Sequence, residues 1–209
     1  MSNSGRSSAQ RRYRSTKRHS GGTREQRAVV FVVCGGVETE PQYIDYLKMA
    51  LGLKNVHIRL SKLGKSPVEV VRRAIGTRED ADEIVWALVD VDDFGSGVAE
   101  AVELGRQNGV QVAVSNPCFE LWLVWHFEKL GGHLNQGQVQ ARAAKLELTY
   151  GKDHKSIHID KLRDRYEHAS AQAKRMRKYH AENETACPDD CPSTNVDLFV
   201  DSLLALEAR

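Results

Sequence analysis

Two stretches decide the fold: AVVFVVCGGVETE at residues 28–40 and IVWALVDVDDFG at residues 84–95. Each opens with an apolar, largely β-branched run of strand length and lacks the polar alternation of a strand with one wet face. Such runs belong where both faces of a strand are covered, as in a parallel sheet flanked by helices. Each run then breaks into an acidic turn. The first passes through Cys34-Gly35-Gly36 to Glu38 and Glu40, and the second is Asp90-Val91-Asp92-Asp93.

Working outward, strands and helices alternate. Thr39 and Gln42 have the spacing of a capping box with Pro41 in the first turn, which predicts a helix from about residue 40 to 51. Residues 56–60 alternate apolar and polar as a second strand. Ser66-Pro67-Val68-Glu69 is a second capping box, and Gly76 closes its helix. The third strand, residues 84–89, leads to a helix over 97–108 stopped by Gly109. A fourth strand over 110–115 ends at Asn116-Pro117. This order predicts the α/β class: an open, parallel, four-stranded Rossmann-like sheet with right-handed crossovers and helices on both faces. After Pro117 the signals turn helical. Residues 118–129 are apolar nearly all round, 138–148 and 160–182 are amphipathic, and 196–206 form a last helix. The expected division is a basic tail over 1–27, an α/β core over 28–130, and a helical C-terminal part of the same domain over 131–209.

With 209 residues, 41% hydrophobic and 28% charged, the chain has the size and balance of one soluble globular domain. No apolar run approaches the roughly 18 residues needed to span a bilayer, and residues 1–27 hold no apolar signal-peptide core. A cytoplasmic protein without a membrane partner is expected, with Cys34, Cys118, Cys187 and Cys191 as free thiols. Cys187 and Cys191, with His180 upstream, offer three zinc-type ligands, but a second pair with the usual spacing is missing. The net charge of +2 hides an asymmetry. Residues 1–27 carry eight Lys or Arg against the single acid Glu25, a net +7, which leaves −5 for the remainder. This Ser- and Gly-rich tail has too little apolar surface to offset its ordering entropy. Two readings stand: a nucleic-acid-binding arm through Arg11, Arg12, Arg14, Lys17 and Arg18, or a solubilising terminus.

Sites in open parallel sheets lie beyond the carboxyl ends of the strands. If the first and third strands are neighbours, Glu38 and Glu40 face Asp90, Asp92 and Asp93. Like-charge repulsion disfavours that crowding unless a cation lies between them, and oxygen donors near phosphate suit Mg²⁺ or Mn²⁺. At a strand end, residues i and i+2 project to one side, so Asp90 and Asp92 can share an ion. The bland alternative for this D-x-D is a solvated turn. Gly35-Gly36 likewise has two readings: close approach of a phosphate to the backbone, or positive φ in a tight turn, the second being favoured.

VVCGGVETEPQYIDYL, GKSP, VDVDD, SNPCFELWLVWHFE and PSTNV, in that order, resemble the successive motifs of RloB-like proteins from about residue 29 to 206, with SNPCFELWLVWHFE the most specific. The resemblance implies a Toprim-type fold, a place in bacterial phage-defence or restriction-linked loci, and an ATPase partner. Toprim proteins use a glutamate after the first strand and an Asp-x-Asp after the third to bind Mg²⁺ and break or join phosphodiesters. On that likeness Glu40, Glu38, Asp90 and Asp92 are the catalytic candidates, and Glu40, Asp90, Asp92 and Asp93 the metal ligands. Asn116, Glu120 and His126 become candidates for a layer around them, with a hydrogen-bonded structural role favoured for His126. There is one departure: where the family's first loop has Cys-Glu-Gly, this chain reads Cys34-Gly35-Gly36.

The leading expectation is a metal-dependent nuclease acting on DNA or RNA. The alternative is a catalytically degenerate scaffold that binds nucleic acid or serves the ATPase. A phosphatase with Asp90 as nucleophile is disfavoured, because its D-x-D normally follows the first strand of the domain. The basic stretch 161–179 suits either a phosphate-tracking helix or a solvated face with pairs such as Asp164 and His168.

Overall fold

The computed structural model describes residues 27–78, 83–91, 95–151 and 153–209. Asp92, Asp93 and the tail residues Arg11, Arg12, Arg14, Lys17 and Arg18 lie outside the described residues.

The two apolar runs form strands β1 (Ala28–Cys34) and β3 (Ile84–Asp90), which pair in parallel with Cys34 opposite Leu88. Strand β2 (Val56–Lys62) lies on the other side of β1, and β4 (Gln111–Asn116) on the other side of β3, all parallel. Alternation along each run sorts side chains to two cores. Val33, Val85, Ala87 and Val89 meet Val70, Val71 and Ala74 of helix α2 (Pro67–Ile75) and Ala101 of helix α3 (Ser96–Gln107). Val30, Val32, Trp86 and Leu88 face the larger core with Tyr43, Ile44 and Leu47 of helix α1 (Thr39–Ala50). Burial on both faces is why these strands carry no polar alternation.

The sheet is mostly parallel, but it is not four-stranded. A fifth strand, β7 (Ser193–Thr194), runs antiparallel to β4 and gives the order β2-β1-β3-β4-β7. Its two residues are polar and carry no strand signal. They are held by side-chain bonds instead: Ser115 Oγ lies 3.1 Å from Thr194 Oγ1, while the Asn195 amide accepts from Val114 N and donates to Val112 O. Asn195 thus extends the ladder along an edge that would otherwise be bare.

The C-terminal part is helical with corrections. The apolar run after Pro117 forms only a short helix α4 (Glu120–Trp125). Beyond it the backbone tightens into i−3 bonds, His126 N to Leu123 O and Phe127 N to Val124 O, and the Trp125 indole donates to Leu130 O. Helix α5 (Gln136–Lys145) starts at an Asn135–Gln138 capping box. A short hairpin follows, β5 (Thr149–Tyr150) and β6 (Ser156–Ile157). The stretch expected as one helix from 160 divides into a 3₁₀ turn (Ile159–Leu162) and helix α6 (Tyr166–Glu182), because Asp164 takes φ of 59°. That break removes the Asp164–His168 pairing, and His168 Nδ1 instead meets Trp125 O at 2.6 Å. Helix α7 (Val196–Glu207) closes the larger core with Phe199, Val200 and Leu203. Among the described residues no helix is long and apolar enough to cross a membrane.

Candidate active site

At the carboxyl edge of the sheet the chain stays bonded past the end of β1. Gly35 N donates to Leu88 O, and Gly35 O accepts from Gly64 N of the β2–α2 loop. A cleft of about 780 Å³ opens above this edge. The β1–α1 turn contributes Glu38 and Glu40, the end of β3 contributes Asp90, and α4 contributes Glu120 from its first turn. Two lysines share the lining, Lys65 from the β2–α2 loop and Lys155 from the β5–β6 hairpin. Residues as far apart in the chain as Glu38 and Lys155 close on one small volume because β1 and β3 are adjacent and α4 springs from the end of β4.

Glu40 is nearly buried, and its Oε1 accepts the Gly36 N–H at 2.7 Å. Neither Gly35 nor Gly36 has positive φ, so the tight-turn reading of the pair is corrected. The reason for glycine at 36 is space: a Cβ there would overlap the Glu40 carboxylate. The Gly36 N–H, free for a phosphate on the other reading, is already taken by that carboxylate. Burial, above all, raises the Glu40 pKa, and nearby Glu120 adds to the rise. Its own backbone N–H, that of Gly36 and the more distant Lys155 hold it down. Burial likewise pushes the Cys34 thiol well up, helped by the charges of Glu40 and Asp90. Cys34 is therefore a packed thiol beneath the cleft, unsuited to nucleophilic work.

Glu120 is 3% exposed, and its Oε1 lies 3.9 Å from Lys155 Nζ. Lys155 is placed by α1. Thr39 Oγ1 and Gln42 Nε2 both donate to Lys155 O, at 3.1 and 3.2 Å, while Gln42 Oε1 accepts from Ile157 N. This overturns the first capping box. The N-cap is Glu38, without a side-chain cap bond, and the Thr39–Gln42 pair clips the hairpin to the helix. The second capping box forms, with Ser66 N and Oγ both donating to Glu69.

The remaining candidates divide. Glu38 is exposed at the rim, Asp90 is half-buried, and both line the cleft with Glu40 and Glu120. Among the described residues no three His, Cys, Asp or Glu side chains gather as a ready-made metal cluster. Asn116 and His126 are turned away from the cleft. Asn116 Nδ2 donates to Pro188 O and Asp190 Oδ1, pinning the 187–192 loop. His126 is buried edge-on against Trp122 with Nδ1 at 2.8 Å from Trp122 O, and burial lowers its pKa to about 4. It is a neutral structural histidine. His180 meets Thr185 Oγ1 and Pro192 O through its two ring nitrogens, and Cys191 donates to Leu134 O, so neither is poised for zinc. The basic residues of α6 are largely engaged by the chain itself, Lys174 with Asp201, Arg177 with Asp197 and Lys178 with Glu182. Lys65 falls in the GKSP motif without a role read from it, and Lys155 falls in no motif, since nothing local marks a loop lysine that reaches an acidic edge.

A family model described as RloB-like protein matches residues 30–203. No curated protein and no solved structure matches the chain.

Proposed function

The chain belongs to the RloB-like family, and from that premise we propose that its cleft is the site of a Toprim-type, metal-dependent nuclease cleaving DNA or RNA phosphodiesters in anti-phage defence, beside an ATPase partner. The observation that carries this reading is the meeting of Glu40, Asp90 and Glu120, from three separate elements, in one cleft with two lysines. The donors fit the ion the family implies. All are hard oxygen ligands suited to Mg²⁺ or Mn²⁺, and two are buried side by side at an electrostatic cost that a cation relieves. Glu40, Asp90, Asp92 and Asp93 are its proposed ligands, with Glu120 lining the same cleft. When bound, such an ion neutralises phosphate charge and acidifies water. The chain's own part is to hold the carboxylates apart from bulk water and to manage a proton. Glu40, with one oxygen fixed on Gly36 N–H and its pKa raised above all by burial, is the group placed to take part in that exchange.

The test pairs calorimetry with cleavage. Asp90→Asn and Asp92→Asn keep size and hydrogen bonding but remove charge. Each is expected to weaken Mn²⁺ binding and to lower cleavage of plasmid, single-stranded DNA or tRNA by about a hundredfold or more. Unchanged binding and cleavage in both variants sinks the assignment. A second reading, a degenerate scaffold that binds without cleaving, is favoured by Gly35 standing where the family has glutamate. Gly35 has no positive φ, and a Cβ there meets Leu88 O at 3.3 Å, so Gly35→Glu asks only a small shift. Cleavage gained by that variant from an inactive parent establishes the second reading.

A further inference from the structure

We propose that Lys155 is the residue that grips the nucleic-acid phosphate at this cleft, and that Thr39 and Gln42 are its positioning residues. The inference rests on reading the cleft as a nucleic-acid site, and it assigns a role to a hairpin outside the family's acidic motifs.

Lys155 reaches the cleft from a hairpin whose strands have two residues each, too short to hold a position by themselves. The hairpin is secured from outside at the lysine. The Lys155 carbonyl accepts two side-chain bonds from the first turn of α1, and Gln42 also accepts from Ile157 N two residues on. The same helix turn carries Glu40, so one rigid element sets both a carboxylate and the cation facing it. The Lys155 ammonium lies 3.9 Å from Glu120, longer than a good charge-assisted bond, and its side chain is 44% exposed. It is attracted to the acidic floor yet keeps donors toward the opening. A polyanion entering a cleft lined by Glu38, Glu40, Asp90 and Glu120 meets repulsion, and a cation fixed at the mouth offsets it. Lys65, from the β2–α2 loop, is exposed, and its loop is tied to the sheet edge by the backbone, Gly64 N to Gly35 O, rather than by side chains of α1.

The test uses the full chain, fluorescently labelled single-stranded oligo(dT) with Ca²⁺ in place of Mg²⁺, and Mn²⁺ calorimetry. Lys155→Ala is expected to weaken oligo(dT) binding about tenfold, the loss of one charge-assisted contact, and to flatten the salt dependence by roughly 0.7 of a counterion. Its Mn²⁺ affinity is expected to hold or rise, since a positive charge leaves the acidic floor. Lys155→Arg should restore most of the oligo(dT) affinity. The pair Thr39→Val and Gln42→Leu should reproduce the flattened salt slope, with no further loss when Lys155→Ala is added. Lys155→Ala leaving oligo(dT) affinity and salt slope unchanged overturns the proposal, as does its lowering oligo(dT) and Mn²⁺ binding together. No binding of oligo(dT) by the parent overturns it too. A parent that binds Mn²⁺ and cleaves while Lys155→Ala behaves like it leaves the nuclease standing and Lys155 refuted. A parent that ignores Mn²⁺ while Lys155→Ala still flattens the slope does the reverse.

Discussion

Two buried carboxylates sit in this protein under opposite conditions. Asp197, at the start of α7, is fully buried and bonded through both oxygens to the Arg177 guanidinium of α6, at 2.8 and 2.7 Å. Glu40, almost as buried, has its own backbone N–H and that of Gly36, a glutamate for its neighbour and only a distant lysine. Asp197 has every need met inside the fold and fastens α6 to α7. Glu40 is held in place but left in like-charge company, so binding a cation or a proton is what relieves it. Burial alone does not mark a functional acid; burial without a matching partner does.

The largest expected effect lies at the paired acid. Arg177→Met removes the partner and leaves the Asp197 charge inside, which should cost about 2 to 4 kcal/mol in urea denaturation at neutral pH, less than for a fully enclosed pair because the guanidinium is a third exposed. A loss near zero would erase the contrast, since Asp197 would then do without a matching partner, as Glu40 does.

At the crowded acid, Gly36→Ala should displace the Glu40 carboxylate, because the added methyl takes its place. The backbone at 36 tolerates alanine, so the thermal midpoint should move little, while Mn²⁺ affinity falls about tenfold, as for other supports of a ligand. Equal Mn²⁺ affinity in parent and variant would show that the Gly36 bond does not set the ligand.

The smallest effect is a sign. The fold raises the Glu40 pKa, mainly by burial, so the native state holds the proton more tightly than the unfolded chain. The stability this contributes is present in acid. It is lost as pH rises from the unfolded value of about 4.3 through the raised folded one. Glu40→Gln keeps an acceptor for Gly36 N–H and does not titrate. Without metal it should match the parent near pH 4 and exceed it in stability at pH 7 and above, as followed by urea midpoints across that range. A parent that gains on the variant as pH rises would reverse the sign and end the case for Glu40 as the acid left in like-charge company.

Strands buried on both faces were legible in residues 28–33 and 84–89 because an apolar run without alternation has few other uses. The Ser66–Glu69 box was legible because both partners are local. Thr39 and Gln42 have the same spacing and were misread, since their partner is the Lys155 carbonyl, more than a hundred residues away. The polar strand β7 and the β5–β6 hairpin were invisible for a related reason: two-residue strands exist only through what they bond to.

By itself, then, the sequence determined the α/β order, the acidic turns after the first and third strands, and the family. Those follow from local apolar patterning and from motif residues close together in the chain. The tertiary structure alone decided that Glu120 enters the cleft while Asn116 and His126 of the same segment turn into the interior, that Gly36 is glycine for the sake of Glu40, and that a lysine from a distant hairpin stands over the acids. Each of these depends on which groups meet in space, and hydrogen bonds and charges act over a few ångströms whatever the separation along the chain.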